Sequence, residues 1–298
     1  MPLPGFDELA QRADARTEPL RVVAAGGADP TVLAALSRAF ACGWVRPVVT
    51  GSLADIERVA AAERISLDGF ELVADEKDSA VAAVACVRSE RASVLMKGQI
   101  PTPALMKAVL DREQGLRTGR AIAQIVLMEI LRDRRRFLMT DTGVMVAPTL
   151  EQKADLLGSL LSVARKLGVE APRVAVMSAT EKPTDAMPDT QDAVELSRRA
   201  GAGDYDPCQV AGPLSFDLAY ASEAGERKGI EGDVTGRADA MLFPNLLAAN
   251  LTVKGIMYTA DCRFGGILCG AACPIVFMSR ADSVETRLNS LAYALALV

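Results

Sequence analysis

A hydroxyl and a guanidinium stand side by side at Ser279-Arg280, where the apolar run Pro274–Met278 stops. Asp282 follows, three residues before Glu285, at the head of an apolar-periodic segment. That pattern predicts a buried strand running into a helix, with Asp282 as N-cap and Glu285 closing a capping box. The first turn of a helix offers unpaired N–H groups and the positive end of the macrodipole. A serine and an arginine just before it make a seat for an anion such as phosphate. The same residues also fit an ordinary strand–helix loop whose Arg280 is merely solvated.

A second group lies at 95–120. Lys97-Gly98 follows a strand pattern at Ser93–Met96, at the carboxyl edge where α/β sheets take ligands. Thr102 is placed to cap a helix that carries Lys107, and Arg117 and Arg120 follow Gly115. Four cations gathered near one strand edge would suit a polyanion; spread out, they are a solvated basic face. Thr140 and Asp141 come directly after the run Arg136–Met139, where a hydroxyl and a carboxylate orient a ligand, accept a proton or cap a turn. Gly26-Gly27 makes no GxGxxG fingerprint, and no GxxxxGK[ST] loop is present.

The 298 residues contain no histidine. Ser-His-Asp and Cys-His triads, histidine-ligated zinc and histidine as general base are therefore excluded. Proton transfer falls to Asp, Glu, Lys, Cys or Tyr, or the substrate brings its own base. A net charge of −5 argues against non-specific nucleic-acid binding. The opening MPLPGFDELAQRADAR has no signal-peptide pattern, and no apolar run approaches the ~18 residues of a membrane span. A cytoplasmic protein that binds neither nucleic acid nor membrane is expected. Cys42, Cys86, Cys208, Cys262, Cys269 and Cys273 form no CxxC pair and read as buried filler.

Short apolar runs alternate with helical patterns, which predicts an α/β fold with mostly parallel sheets. Strands are expected at Arg21–Ala25, Val45–Thr50, Ser93–Met96, Ile122–Glu129, Arg136–Met139, Arg173–Met177, Ala238–Phe243 and Pro274–Met278. Leu150–Leu167 is the clearest helix, with a Thr149/Gln152 capping box and Gly168 at its end. Only Leu131–Arg135 separates two of the strands. A parallel crossover needs a dozen residues or more, so that pair is expected to be antiparallel and to open a second domain. The expected division is 1–118 plus 278–298 for one domain and 119–277 for the other.

Seven segments occur here in order: LMKG, KAVL…GLRTGR, TD…APTLEQKAD, GVEAPRVAVMSATEKPTDAMPDTQDA, GPLSFDLA, RKGI…TGRADAMLFPN and PIVFMSRADS…LNS. Together they resemble the phosphate acetyltransferase/phosphate butyryltransferase family, with spacing closest to the butyryl branch. The resemblance runs from about residue 93 to the C-terminus and more loosely through the first third. It implies a two-domain fold related to the isocitrate and isopropylmalate dehydrogenases, with an interdomain cleft. It also implies the reaction of a short acyl-CoA with inorganic phosphate to give acyl phosphate and free CoA. No tightly bound cofactor or metal is implied, and CoA enters as substrate. A homodimer or larger homo-oligomer is expected.

By resemblance, Ser279 and Arg280 hold the reacting groups. Asp141 or Glu285 supplies the carboxylate for the thiol proton. Lys97, Lys107, Arg117, Arg120, Thr140, Asn250, Lys254 and Ser283 are the candidate phosphate and CoA contacts. The chain departs from the family where an acidic residue is expected and Thr286 stands. It also has Gln124 for a histidine, and Ala249-Asn250 for a Gly-Asn pair. Those departures leave a non-catalytic acyl-CoA-binding relative as one alternative; a metal- and NAD-dependent decarboxylating dehydrogenase is a lesser one.

Overall fold

The computed structural model describes every residue except Glu76, Lys77, Asp206 and Arg280. From the N-terminus the chain forms α1 (Phe6–Asp14), β1 (Leu20–Ala25), α2 (Pro30–Ala41), β2 (Val45–Gly51) and α3 (Leu53–Glu63). There follow β3 (Glu71–Ala74), α4 (Ser79–Arg88), β4 (Val94–Lys97) and α5 (Thr102–Val109). A second stretch holds β5 (Ala123–Ile130), β6 (Arg135–Thr140), α6 (Leu150–Lys166), β7 (Arg173–Met177), α7 (Pro188–Gly201) and β8 (Gln209–Leu214). It continues through α8 (Phe216–Tyr220), α9 (Ser222–Lys228), β9 (Ala240–Leu242) and α10 (Leu246–Thr259). The chain closes with β10 (Cys262–Cys269), β11 (Ile275–Val276) and α11 (Val284–Leu295).

Two compact units result. One is discontinuous, Phe6–Ile122 with Phe264–Val298; the other is continuous over Ala123–Arg263 and takes in the N-terminal Met1–Gly5 as well. The C-terminal return thus falls at Phe264, earlier than the expected 278. The reason is strand pairing: β11 lies parallel beside β4, with Ile275 opposite Leu95, and β10 lies antiparallel beside β11. The discontinuous unit therefore has strand order β3-β2-β1-β4-β11-β10. The continuous unit has β5-β6-β9-β7-β8, in which only β5–β6 is antiparallel. The four residues 131–134 connect β5 and β6 too tightly for a crossover, and the observed hairpin follows from that.

Burial follows the apolar pattern. Leu157, Leu160, Leu161 and Ala164 of α6 and Leu167 at its C-cap are all buried. Thr149 accepts from the Gln152 N–H while Gln152 accepts from the Thr149 N–H, so the expected capping box forms. Three strands were not legible as such. β3 is a four-residue edge strand with little burial, β8 contains Gly212-Pro213 at an edge, and β10 contains Gly265-Gly266. Glycine and proline weaken a strand pattern, and an edge strand need not be apolar on both faces. The cysteines also differ from expectation: Cys86 and Cys273 are buried, whereas Cys42 is exposed.

Gly98 sets how closely the ends of β1 and β4 approach. Its N–H donates to the Ala25 carbonyl at 2.9 Å, and the Gln99 N–H donates to the Gly26 carbonyl at 2.7 Å. A Cβ at 98 would collide with the carbonyl oxygens of Gly26 and Ala25. Backbone cannot move aside as a side chain can. Gly98→Ala is therefore expected to cost about 1–3 kcal/mol of stability, read as a lower urea midpoint with an unchanged slope.

Candidate functional site

The strands β1, β4 and β11 are parallel neighbours, so their following loops all leave from one edge of their unit's sheet. At that edge lie Gly26–Asp29 after β1, Lys97-Gly98 at the end of β4, and Phe277–Ser283 after β11. Lys97 is only 4% exposed, and its Nζ reaches the Gly98 carbonyl at 3.4 Å. A buried ammonium is costly unless it is paired or serves an anion.

The Ser279 segment closes as a tight turn. The Ser279 N–H donates to Asp282 Oδ2 at 2.6 Å, and the Asp282 N–H returns to the Ser279 carbonyl at 3.2 Å. The Ala281 N–H donates to Ser279 Oγ at 3.3 Å. Arg280, the expected phosphate group, lies outside the described residues. The expected Asp282/Glu285 capping box does not form. Ser283 is the N-cap of α11 and accepts from the Thr286 N–H, because Asp282 is already committed to the turn. Ser283 also shares a hydroxyl contact of 3.1 Å with Thr286. Glu285 pairs with exposed Arg38 at 2.5 Å. That hydrogen bond lowers its pKa, which makes Glu285 a weaker base.

One buried group at this edge escapes a reading of motifs. Arg287, in the first turn of α11, is 2% exposed. Its Nε donates to Thr31 Oγ1 at 2.8 Å and its Nη2 to the Ser279 carbonyl at 3.2 Å. Thr31 in turn donates to Asp29, the N-cap of α2, at 2.7 Å. Arg287 stands three and four residues before Ser290 and Leu291, on the helix's buried face. An arginine at a core-facing position was the available signal.

The four cations of the 95–120 segment do not gather. Lys107 is exposed in the last turn of α5, which leads away from the end of β4. Arg117 is exposed and forms an antiparallel bridge with Ala271, in the loop that precedes β11. Thr118 Oγ1 donates to the Gly270 carbonyl at 2.6 Å in the same place. Arg117 and exposed Arg120 are therefore anchored near the start of β11, whereas Ser279 follows its end. Thr102 is the first helical residue of α5 rather than its cap, and Pro101 occupies the cap position.

The continuous unit holds a second arrangement. Thr140 is fully buried, and its hydroxyl donates to the Gln124 carbonyl at 3.2 Å. That bond ties β6 to β5. Asp141 is 3% exposed and accepts four backbone N–H groups. Those of Gly143, Val144 and Gln124 reach Oδ1 at 2.9, 3.1 and 3.1 Å, and that of Met145 reaches Oδ2 at 2.7 Å. Burial raises the Asp141 pKa, and the four N–H groups oppose the rise. Three of the four donors come from residues 143–145 and the fourth from Gln124 of β5, so this carboxylate builds the loop and ties it to β5. Asn250 of α10 donates to the Thr142 carbonyl at 3.0 Å, pinning the same loop, and Lys254 is exposed one turn further on.

Residues 74–295 match the family model described as Phosphate acetyl/butaryl transferase. The chain is 35% identical over 291 residues to the phosphate butyryltransferase of Clostridium acetobutylicum, covering 97% of this chain and 96% of the relative. It is 34% identical over 297 residues to the phosphate acetyltransferase of Thermotoga maritima, covering 96% and 97%. Among solved structures it superposes on a branched-chain phosphotransacylase from Enterococcus faecalis V583 with a TM-score of 0.83. That match has 28% identity and covers 93% of this chain and 98% of the other.

Asp141→Asn tests the loop-building role. An amide keeps the Oδ1 bonds but sets an NH2 against the Met145 N–H, so a stability loss of about 1–3 kcal/mol is expected in urea. A carboxyl whose folded pKa is raised contributes stability below its unfolded value, near 4, and loses it as pH rises through the folded value. The wild type should show that decline and Asp141→Asn should lack it, in stability measured from pH 3 upward.

Proposed function

The chain belongs to the phosphate acetyl/butyryl transferase family, and we propose from that membership that it transfers a short acyl group between coenzyme A and inorganic phosphate. The acyl group is acetyl, propionyl or butyryl. The observation that carries this reading is the Ser279 turn, set at the strand edge that also holds buried Lys97. In the forward direction a phosphate oxygen attacks the thioester carbon, the new C–O bond forms, and the C–S bond breaks to release CoA. Phosphate is already anionic at neutral pH, so the chain's lack of histidine is no obstacle.

Two tasks remain for the protein: holding phosphate within about 3–3.5 Å of the carbonyl carbon and neutralising the oxyanion that grows there. We assign Arg280 to phosphate and Ser279 Oγ to the carbonyl or phosphoryl oxygen, with Lys97 adding positive charge at the same edge. One well-placed donor to an oxyanion is typically worth about 3–4 kcal/mol. In reverse, the CoA thiol must lose its proton. Asp141 or Glu285 is the candidate for that proton: burial raises the Asp141 pKa, while the Arg38 hydrogen bond lowers that of Glu285 and makes it the weaker base. Ser283 serves the site indirectly, as the cap that starts α11. Lys107, Arg117, Arg120, Asn250 and Lys254 remain candidates for the CoA phosphates or loop support.

The finer architecture, of the isocitrate/isopropylmalate dehydrogenase type, is part of the same proposal. So are a cytoplasmic setting, the lack of a tightly bound cofactor and a homo-oligomer. Among the described residues no helix is long and apolar enough to cross a membrane. Support for assembly comes from α10, whose Leu247, Leu251 and Tyr258 are well exposed along one face.

The test is thiol release from acetyl-, propionyl- and butyryl-CoA, with and without phosphate. Release that requires phosphate, with acyl phosphate formed in equal amount, is the expected result. Release without phosphate would indicate a thioesterase, and CoA binding without turnover a non-catalytic relative. Arg280→Ala should lower the phosphate-dependent rate by about 10²–10³-fold with the fold intact; near-normal turnover would remove Arg280 from the mechanism.

A further inference from the structure

Arg287 is a buried charge without a carboxylate bonded to it among the described residues. Its two bonds go to a hydroxyl and a carbonyl, on Thr31 and Ser279. Asp29 and Asp282 lie close enough to favour its charge, but burial acts against it and lowers the Arg287 pKa. Both carboxylates have other duties. Asp29 Oδ1 accepts from the N–H groups of Thr31 and Val32 and from the Thr31 hydroxyl. Asp282 accepts from the Ser279 N–H. The third donor, Nη1, has no hydrogen-bond partner among the described residues and is closed to solvent. A guanidinium closed off in this way cannot touch a substrate. It is also a poor choice for stability alone, since an apolar side chain of similar volume often holds a buried site as well or better.

What the guanidinium does achieve is a connection. The chain Asp29–Thr31–Arg287–Ser279 joins the start of α2 to the carbonyl of Ser279. That carbonyl also accepts from the Asp282 N–H, so it is held from two sides. The loop after β1 and the turn after β11 are thereby fixed to one another.

We infer that Arg287 is a positioning residue for acyl transfer: through Thr31 and the Ser279 carbonyl it holds the Ser279–Asp282 turn in the geometry that the reacting groups need. The inference rests on the acyl-transfer reading of Ser279, and it assigns Arg287 and Thr31 one shared task. An error of about 1 Å in placing reacting groups can cost as much as 10²-fold, so the effect belongs in kcat.

The experiment compares wild type, Arg287→Met, Arg287→Lys, Thr31→Val and the Thr31→Val/Arg287→Met double variant, using butyryl-CoA and inorganic phosphate. Thermal unfolding is recorded for each. For Arg287→Met the expected result is a kcat lower by about 10–100-fold, with both KM values within about threefold and unfolding close to wild type. Thr31→Val should lose less, and the double variant should be no slower than Arg287→Met, because both changes break one connection. Arg287→Lys should recover part of the rate. Wild-type kcat in folded Arg287→Met overturns the inference, as does a loss confined to KM or losses that simply multiply. If Arg287→Met does not fold, Thr31→Val and Arg287→Lys decide, and wild-type kcat in both overturns it. No phosphate-dependent turnover in the wild type would instead overturn the acyl-transfer reading itself.

Discussion

Parallel strands release their loops at one edge, and that constraint organises the discontinuous unit. β1, β4 and β11 are neighbours in its sheet, although β11 comes from near the C-terminus. Their carboxyl ends consequently bring Gly26–Asp29, Lys97-Gly98 and the Ser279 turn to a common edge. The approach is close only because Gly98 lacks a side chain against the carbonyls of Gly26 and Ala25. A hydroxyl, a buried ammonium and a turn rich in backbone N–H groups then lie along the same edge. Strand order, rather than any motif alone, makes that set.

The polar groups at this edge form a chain of dependence. Asp29 caps α2 and orients Thr31; Thr31 accepts from Arg287; Arg287 also donates to the Ser279 carbonyl. Asp282 closes the turn from the other side. Buried donors and acceptors are expensive to leave unpaired, so each member limits where the next can sit. The continuous unit follows the same logic around Asp141. There one carboxylate organises four N–H groups and Asn250 secures the loop from α10.

Much of the fold was legible in residue pattern. The strand at Arg173–Met177, the α6 capping box and the β5–β6 hairpin follow from local periodicity, side-chain chemistry and connection length. The site was legible in part. Ser279 and Lys97 were marked by their place after apolar runs, and both are found at the ends of strands. The grouping of Lys107, Arg117 and Arg120 with Lys97 was not, because neighbours in sequence separate once α5 carries the chain away. Glu285 looked like a cap partner at three-residue spacing, yet Ser283 took the cap and left Glu285 to Arg38. Spacing identifies which side chains could cap a helix, but competition among them is settled by the turn that precedes it.

By itself the sequence determined the α/β class, the exclusion of histidine chemistry and the family, since these rest on composition, short-range periodicity and ordered motifs. Only the tertiary structure decided that the return to the first unit begins at Phe264, through β10 and β11. It alone showed that Asp141 spends its carboxylate on backbone N–H groups and that Arg287 reaches across 256 positions to Thr31. The physical reason is separation along the chain. Which buried donor meets which acceptor depends on strand order and burial, and neither is encoded in the spacing of nearby residues.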